Sequence, residues 1–93
     1  MRTLLIDDIR EFNVNRIARS YDDGVCALLQ EGPWDVLYLD HDLGDEDPAK
    51  TGYGIMCWFE QHPEYLPKKI EFVTGNQVGR VNMQRVKDRM ELK

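Results

Sequence analysis

Two short apolar runs constrain this chain more than any other feature, because each ends abruptly in acid. Thr3-Leu4-Leu5-Ile6 stops at Asp7-Asp8, and Val36-Leu37-Tyr38-Leu39 stops at Asp40-His41-Asp42-Leu43-Gly44. A short apolar run bounded by a polar stop reads as a buried strand. Carboxylates planted directly at its end are costly to desolvate unless a counter-charge or a ligand neutralises them. In open α/β sheets, ligands collect where the strands deliver their carboxyl ends. If the two strands are neighbours, Asp7, Asp8, Asp40 and Asp42 meet on one edge and form a candidate site for a divalent cation and a phosphate.

The rest of the chain alternates extended and helical patterns. A second extended piece is expected from Asn15 to Arg19. Ser20 can cap a helix with Asp22 and Asp23 in its first turn, an apolar face of Tyr21, Val25, Leu28 and Leu29, and a stop at Gly32-Pro33. Asp35 to Asp40 is the next strand, and the acidic stretch from Gly44 to Lys50 is a loop. After Thr51 and Gly52, a helix presents Ile55, Trp58, Phe59 and His62 on one face and ends at Pro63. Lys69 to Val73 reads as a strand, Thr74-Gly75-Asn76 as a turn, and Arg80 to Leu92 as a helix with Met83, Val86 and Met90 on its apolar face. This alternation predicts a largely parallel sheet with helices on its faces. One joint is awkward. Asp8 to Asn13 is too short for a crossover helix, which leaves the direction of the second strand open.

Length and composition narrow the function classes. Ninety-three residues give one domain, 1–93, with one core. No apolar run can span a bilayer, and the start is too short in apolar residues for a signal peptide, so a cytoplasmic chain without a membrane partner is expected. Cys26 and Cys57 lack metal-ligand spacing and read as small buried hydrophobes. The formal charge is −5, with five acids between Asp40 and Asp47 and a net +3 over residues 80–93. Such a balance excludes an extensive interface with duplex nucleic acid but allows a local phosphate contact. Trp34, Tyr53, Trp58 and Phe59 read as core and shoulder packing, since no aromatic-basic interleaving accompanies them.

Each candidate has a plainer alternative. Asp7 and Asp8 are metal ligands or the cap of a turn. Asp40, bare after four apolar residues, is the strongest site candidate, and Asp42 is a fourth possible ligand. His41 is a general acid-base group or a structural hydrogen-bonding residue. Asp45, Glu46 and Asp47 read as solvated loop charges. At the opposite pole, the turn at Thr74 and Asn76 leads into a helix whose amides can face an anion, and Arg80 can grip a phosphate with its planar fork. Arg10 is a weaker candidate for the same task.

An acid pair after the first strand, an Asp after the middle strand and a Thr after the next form the layout of response-regulator receiver domains. The chain more closely resembles the compact cyclic-phosphate processing receiver domains of bacteria and their phages. The resemblance is carried by Leu5-Ile6-Asp7-Asp8-Ile9-Arg10, Leu39-Asp40-His41-Asp42-Leu43-Gly44, Thr51-Gly52-Tyr53 and Gly75-Asn76-Gln77-Val78-Gly79-Arg80-Val81-Asn82-Met83. It implies a truncated, flavodoxin-like three-layer α/β sandwich of about four mostly parallel strands with helices on both faces. It also implies a metal-dependent phosphoesterase that uses Mg²⁺ or Mn²⁺ on a 2′,3′-cyclic nucleotide or an RNA-end cyclic phosphate. Asp7, Asp8, Asp40 and Asp42 would hold the cation, Asp40 and His41 would act in catalysis, and Thr74, Asn76, Arg80 and Arg10 would bind phosphate. Two departures stand out: Val73-Thr74 replaces the His-Ser usual in this family, and Gln77 stands where Pro is common. The non-enzyme alternative is a receiver-derived accessory module, in a phage or bacterial host cytoplasm, that binds a host protein or sequesters a phosphate ligand. Phosphoacceptor signalling through Asp40 is disfavoured, because no Lys-bearing last strand is found.

Overall fold

The computed structural model describes residues 1–91. Its elements are β1 (Thr3–Ile6), β2 (Arg16–Ala18), α1 (Tyr21–Glu31), β3 (Val36–Leu39), α2 (Gly52–Gln61), a 3₁₀ turn (Pro63–Tyr65), β4 (Lys69–Phe72) and α3 (Gln77–Glu91). All pairings in the sheet are parallel, in the order β2-β1-β3-β4.

The open question about β2 is settled as parallel to β1, without a helix between them. Asp7 starts the return by accepting the amides of Ile9 and Arg10 on one carboxylate oxygen, both at 2.9 Å. Asn15 closes it on Thr3: the Thr3 amide donates to the Asn15 side chain at 2.8 Å, and the Asn15 amide donates to the Thr3 carbonyl at 3.1 Å. Side-chain caps and a strand-like closure thus replace the hydrogen bonds a helix would supply.

The layering differs from the expectation in one respect. The connections β2–α1–β3 and β3–α2–β4 step across the sheet in the same sense. Right-handed crossovers then place α1 and α2 on the same face. The core agrees for all three helices: Leu4, Ile6, Leu37, Leu39 and Ile70 of the strands cluster with Ala27 and Leu28 of α1, Ile55, Met56 and Phe59 of α2, and Met83 and Val86 of α3. The four-stranded parallel α/β class holds, but the helices occupy one face rather than two. On the other face the β1–β2 segment lays Phe12 edge-on against Tyr38, with ring centroids 5.4 Å apart.

Other details refine the elements. Ser20 and Thr51 cap α1 and α2 by accepting the amides of Asp23 and Gly54. The buried stripe of α1 is Gly24, Ala27 and Leu28, whereas Leu29 is 46% exposed. Gly24 lies so close to Ile6 that an added Cβ would approach its side chain to 2.8 Å, so the helix sits deeper than a stripe of large residues would allow. Helix α3 begins at Gln77, three residues before the expected start, because Asn76 caps it by accepting the Gly79 amide at 2.9 Å. Its expected end, Leu92, lies outside the described residues. Cys26 and Cys57 are free and half-buried rather than fully buried. No helix among the described residues is long and apolar enough to cross a membrane.

Candidate functional site

Sheet register brings the strand-end residues together. Ile6 pairs with Leu39, and Leu39 with Phe72. The next residues continue the ladder: the Asp40 amide donates to the Ile6 carbonyl and the Val73 amide to the Leu39 carbonyl, each at 3.0 Å. Asp7, Asp40 and Thr74 therefore share the carboxyl edge, and all three are buried.

Asp7, Asp8 and Asp40 each offer a ligand atom within 4.8 Å of the others. An all-oxygen set of carboxylates suits a hard cation such as Mg²⁺ or Mn²⁺, which takes few protein ligands and keeps positions for water and substrate oxygens. The three residues thus fit a divalent ion. Gly44, in the left-handed region at φ 73°, lets the following loop pass beside Asp8, where a Cβ would lie 3.2 Å from the carboxylate.

The cluster already carries a counter-charge. Nη1 of Arg10 lies 3.0 Å from Asp7 Oδ2 and 3.3 Å from Asp40 Oδ2. Burial alone would raise the Asp7 carboxyl, but the amides of Arg10 and Ile9 and the Arg10 guanidinium outweigh it and hold it below the ordinary range. Asp40 goes the other way. Burial pushes its carboxyl up, and hydrogen bonds from the Thr74 hydroxyl and the His41 amide, with the charge of Arg10, only partly oppose this. Neighbouring acids pushed in opposite directions are a common signature of functional sites.

Asp42 stands apart from the carboxylate group. It is 66% exposed and pairs instead with His41, its Oδ1 lying 3.0 Å from Nδ1. Because a carboxylate only accepts, Nδ1 carries the proton in the neutral ring and Nε2 keeps the lone pair. Asn76 sits beside this pair, with Nδ2 3.4 Å from Asp42 Oδ2 and 3.4 Å from His41 Nδ1. Its carbonyl is occupied in capping α3, which fixes the amide's orientation. The edge therefore holds two adjoining groups, the acids with Arg10 and the His41–Asp42–Asn76 set, joined where the His41 amide donates to Asp40 Oδ1 at 2.8 Å.

Arg80 reaches back to the Thr74 carbonyl, Nη2 to O 3.2 Å, in the first turn of α3. Asp45, Glu46 and Asp47 form an exposed loop in which Asp45 and Asp47 accept local amides. Two glycines outside the candidate set shape the site. A Cβ on Gly79 would fall 2.4 Å from Cγ of His41, and one on Gly52 would fall 2.2 Å from the Asp40 carbonyl oxygen. Both sit inside the motifs that carry the resemblance, but a glycine's reason for being there is a contact in space, and spacing alone does not disclose it.

Comparison with known proteins gives one family. The sequence model of the cyclic-phosphate processing receiver domain matches residues 2–89. No curated protein matches the chain. No solved structure matches it.

Proposed function

The chain belongs to the cyclic-phosphate processing receiver domain family, and from that premise we propose that it is a metal-dependent phosphoesterase that opens a cyclic phosphate. The substrate class is a 2′,3′-cyclic nucleotide or an RNA end carrying the same group. The observation that carries this reading is the adjacency of two groups: three carboxylates within 4.8 Å, and beside them an imidazole whose Nδ1 is committed to Asp42. A bound Mg²⁺ or Mn²⁺ would supply Lewis-acid polarisation of the phosphoryl oxygens.

The chain's own residues do the rest. Asp7, Asp8 and Asp40 would hold the ion. Asp42 orients the His41 ring through Nδ1, so Nε2 can take a proton from the attacking water. The water oxygen bonds to phosphorus and one P–O bond to a ribose oxygen breaks; the departing ribose oxygen takes a proton from solvent and Nε2 returns its own to solvent, leaving a phosphomonoester and a free hydroxyl. Asn76 and Arg80 flank the edge as phosphate donors, and Thr74 serves Asp40 through its hydroxyl.

A specific departure supports a second reading. Val73 occupies the position where the family resemblance implies His, so one acid-base group or ligand is missing from the edge. The alternative is a non-catalytic module that binds a host protein or sequesters a phosphate ligand.

A turnover assay separates the two. Wild type and His41→Ala are incubated with 2′,3′-cyclic nucleotides and with cyclic-phosphate-ended RNA, in Mn²⁺ or Mg²⁺ and in chelator. The enzyme reading expects cation-dependent opening that falls about 10²-fold or more in the variant, the usual scale for losing a general acid-base group. Absence of turnover on every substrate, with the protein folded and the cation present, would favour the binding module.

A further inference from the structure

Arg10 touches the acidic cluster in an unusual way. A single guanidinium nitrogen, Nη1, contacts both Asp7 Oδ2 and Asp40 Oδ2 at 3.0 and 3.3 Å. Those carboxylates belong to the set that fits a divalent ion. A cation shared between two anions is the role such an ion itself would play. The guanidinium and a divalent ion cannot both use the same oxygens without strong like-charge repulsion.

The backbone and side chain of Arg10 are held differently. Its amide donates to Asp7 Oδ1 at 2.9 Å, and its carbonyl accepts from Arg19 Nη1 at 2.6 Å. The turn is thereby fixed on Asp7. The Arg10 side chain, by contrast, is 41% exposed, and its contacts with the carboxylates run through Nη1. A flexible stem on a fixed turn can swing its head group out without disturbing the fold, and it remains tethered at the edge when it does so. The planar fork it then presents is the group best matched to phosphate oxygens.

We propose that Arg10 is a built-in counter-cation that competes with the divalent ion for Asp7 and Asp40, and that, once displaced, it delivers its guanidinium to the substrate phosphate. Cation binding and phosphate binding are then coupled through one side chain: the ion releases the arginine, and the phosphate captures it. This inference rests on the divalent-cation reading of the site. It adds that the protein holds its acids partly neutralised by its own arginine and exchanges that partner on loading. By reciprocity of linkage, phosphate must also tighten the ion.

The test uses binding, independently of turnover. Mn²⁺ is titrated into chelator-stripped wild type, Arg10→Gln and Arg10→Lys, followed by calorimetry; inorganic phosphate is then titrated with and without Mn²⁺. Arg85→Gln, further along α3 and away from the acids, serves as the charge control. Removing the competitor should tighten Mn²⁺ about tenfold in Arg10→Gln, the scale of one charged hydrogen-bonded contact. The same variant should lose most of the gain in phosphate affinity that Mn²⁺ gives wild type. Arg85→Gln should match wild type in both titrations. Arg10→Lys keeps a positive charge near the acids and protects the fold; lacking the fork, it should tighten Mn²⁺ by less and still lose the phosphate gain. If Arg10→Gln does not fold in chelator, refolding on adding Mn²⁺ supports the exchange, and the Lys variant supplies the affinities. Equal or weaker Mn²⁺ affinity in both Arg10 variants overturns the inference while leaving the cation site intact. No Mn²⁺ binding in any form removes the cation reading and the inference with it.

Discussion

His41 is fixed by neighbours that have no proton to exchange with substrate. Asp42 engages Nδ1, Asn76 closes the same side, and the bare backbone of Gly79 makes room for the ring itself. A methyl group at Gly79 would approach Cγ, Cδ2 and Cβ of His41 at 2.4, 2.5 and 2.9 Å. Two effects then oppose each other in Gly79→Ala. Alanine is the better helix former by about 1 kcal/mol, yet the imidazole must move. The expected result is a melting temperature close to wild type, Mn²⁺ affinity unchanged, and turnover lowered by about 10²-fold, as if His41 were lost. Full turnover in Gly79→Ala would mean that His41 works from another rotamer, and the Asp42 pairing would lose its role. Asp7, Asp8 and Asp40 were legible in the sequence because an acid directly after an apolar strand is costly to bury without a ligand or a counter-charge. The division of labour between Asp40 and Asp42 was not. Asp40 and Asp42 stand two apart, a spacing that would put both on one side of a continuing strand, but the strand ends at Leu39 and the path of the chain beyond it decides that one faces Arg10 and the other His41.

Elements were legible where local chemistry sets them. Ser20 and the Gly32-Pro33 stop bound α1 as their residue types require. The start of α3 was missed because Asn76 reads equally well as a turn residue and as a cap, and Gly79 weakens the helical pattern after it. Arg16 shows how a short strand is tied to its helix: it pairs with Asp23 at 2.8 Å and Glu31 at 3.2 Å, the two ends of α1. The hydrogen bond from Arg16 holds the Asp23 carboxyl below its ordinary value of 3.8, with burial opposing more weakly. A depressed folded value means that stabilisation is complete above the unfolded value and is lost as pH falls through the folded one. Thermal melts should therefore show stability falling as pH drops below about 4, and Asp23→Asn should remove part of that fall. With Asp23 40% exposed, the contribution is that of a screened surface pair, about 0.5–1 kcal/mol. Identical acid profiles for variant and wild type would show the Arg16 bridge to be energetically neutral.

At the scale of the whole molecule, one apolar cluster joins the sheet to all three helices, and the acids gather at the rim of that same sheet. The parallel class followed from alternating patterns, but the one-sided layering did not, because a helical pattern does not state which face it covers. It follows instead from strand order, with β1 inserted between β2 and β3 so that successive crossovers travel the same way. Because the rim is built from the ends of β1 and β3, an ion held by Asp7, Asp8 and Asp40 would draw on residues that follow two neighbouring strands and would favour the folded state, in which those strands are paired. Ligation of the folded state alone raises stability by about 2.7 kcal/mol at a hundredfold excess over Kd. For a chain of this length that corresponds to about 10–20 °C in melting temperature. Mn²⁺ at such an excess should therefore raise the melting temperature of wild type, and chelator should reverse it. The double variant Asp7→Asn with Asp40→Asn removes two of the three ligand groups and the partners of Arg10 together, so its melting temperature should not respond to Mn²⁺. A response as large as wild type's in that variant would place the ion elsewhere, with the exposed Asp45–Asp47 loop as the next set of carboxylates to remove.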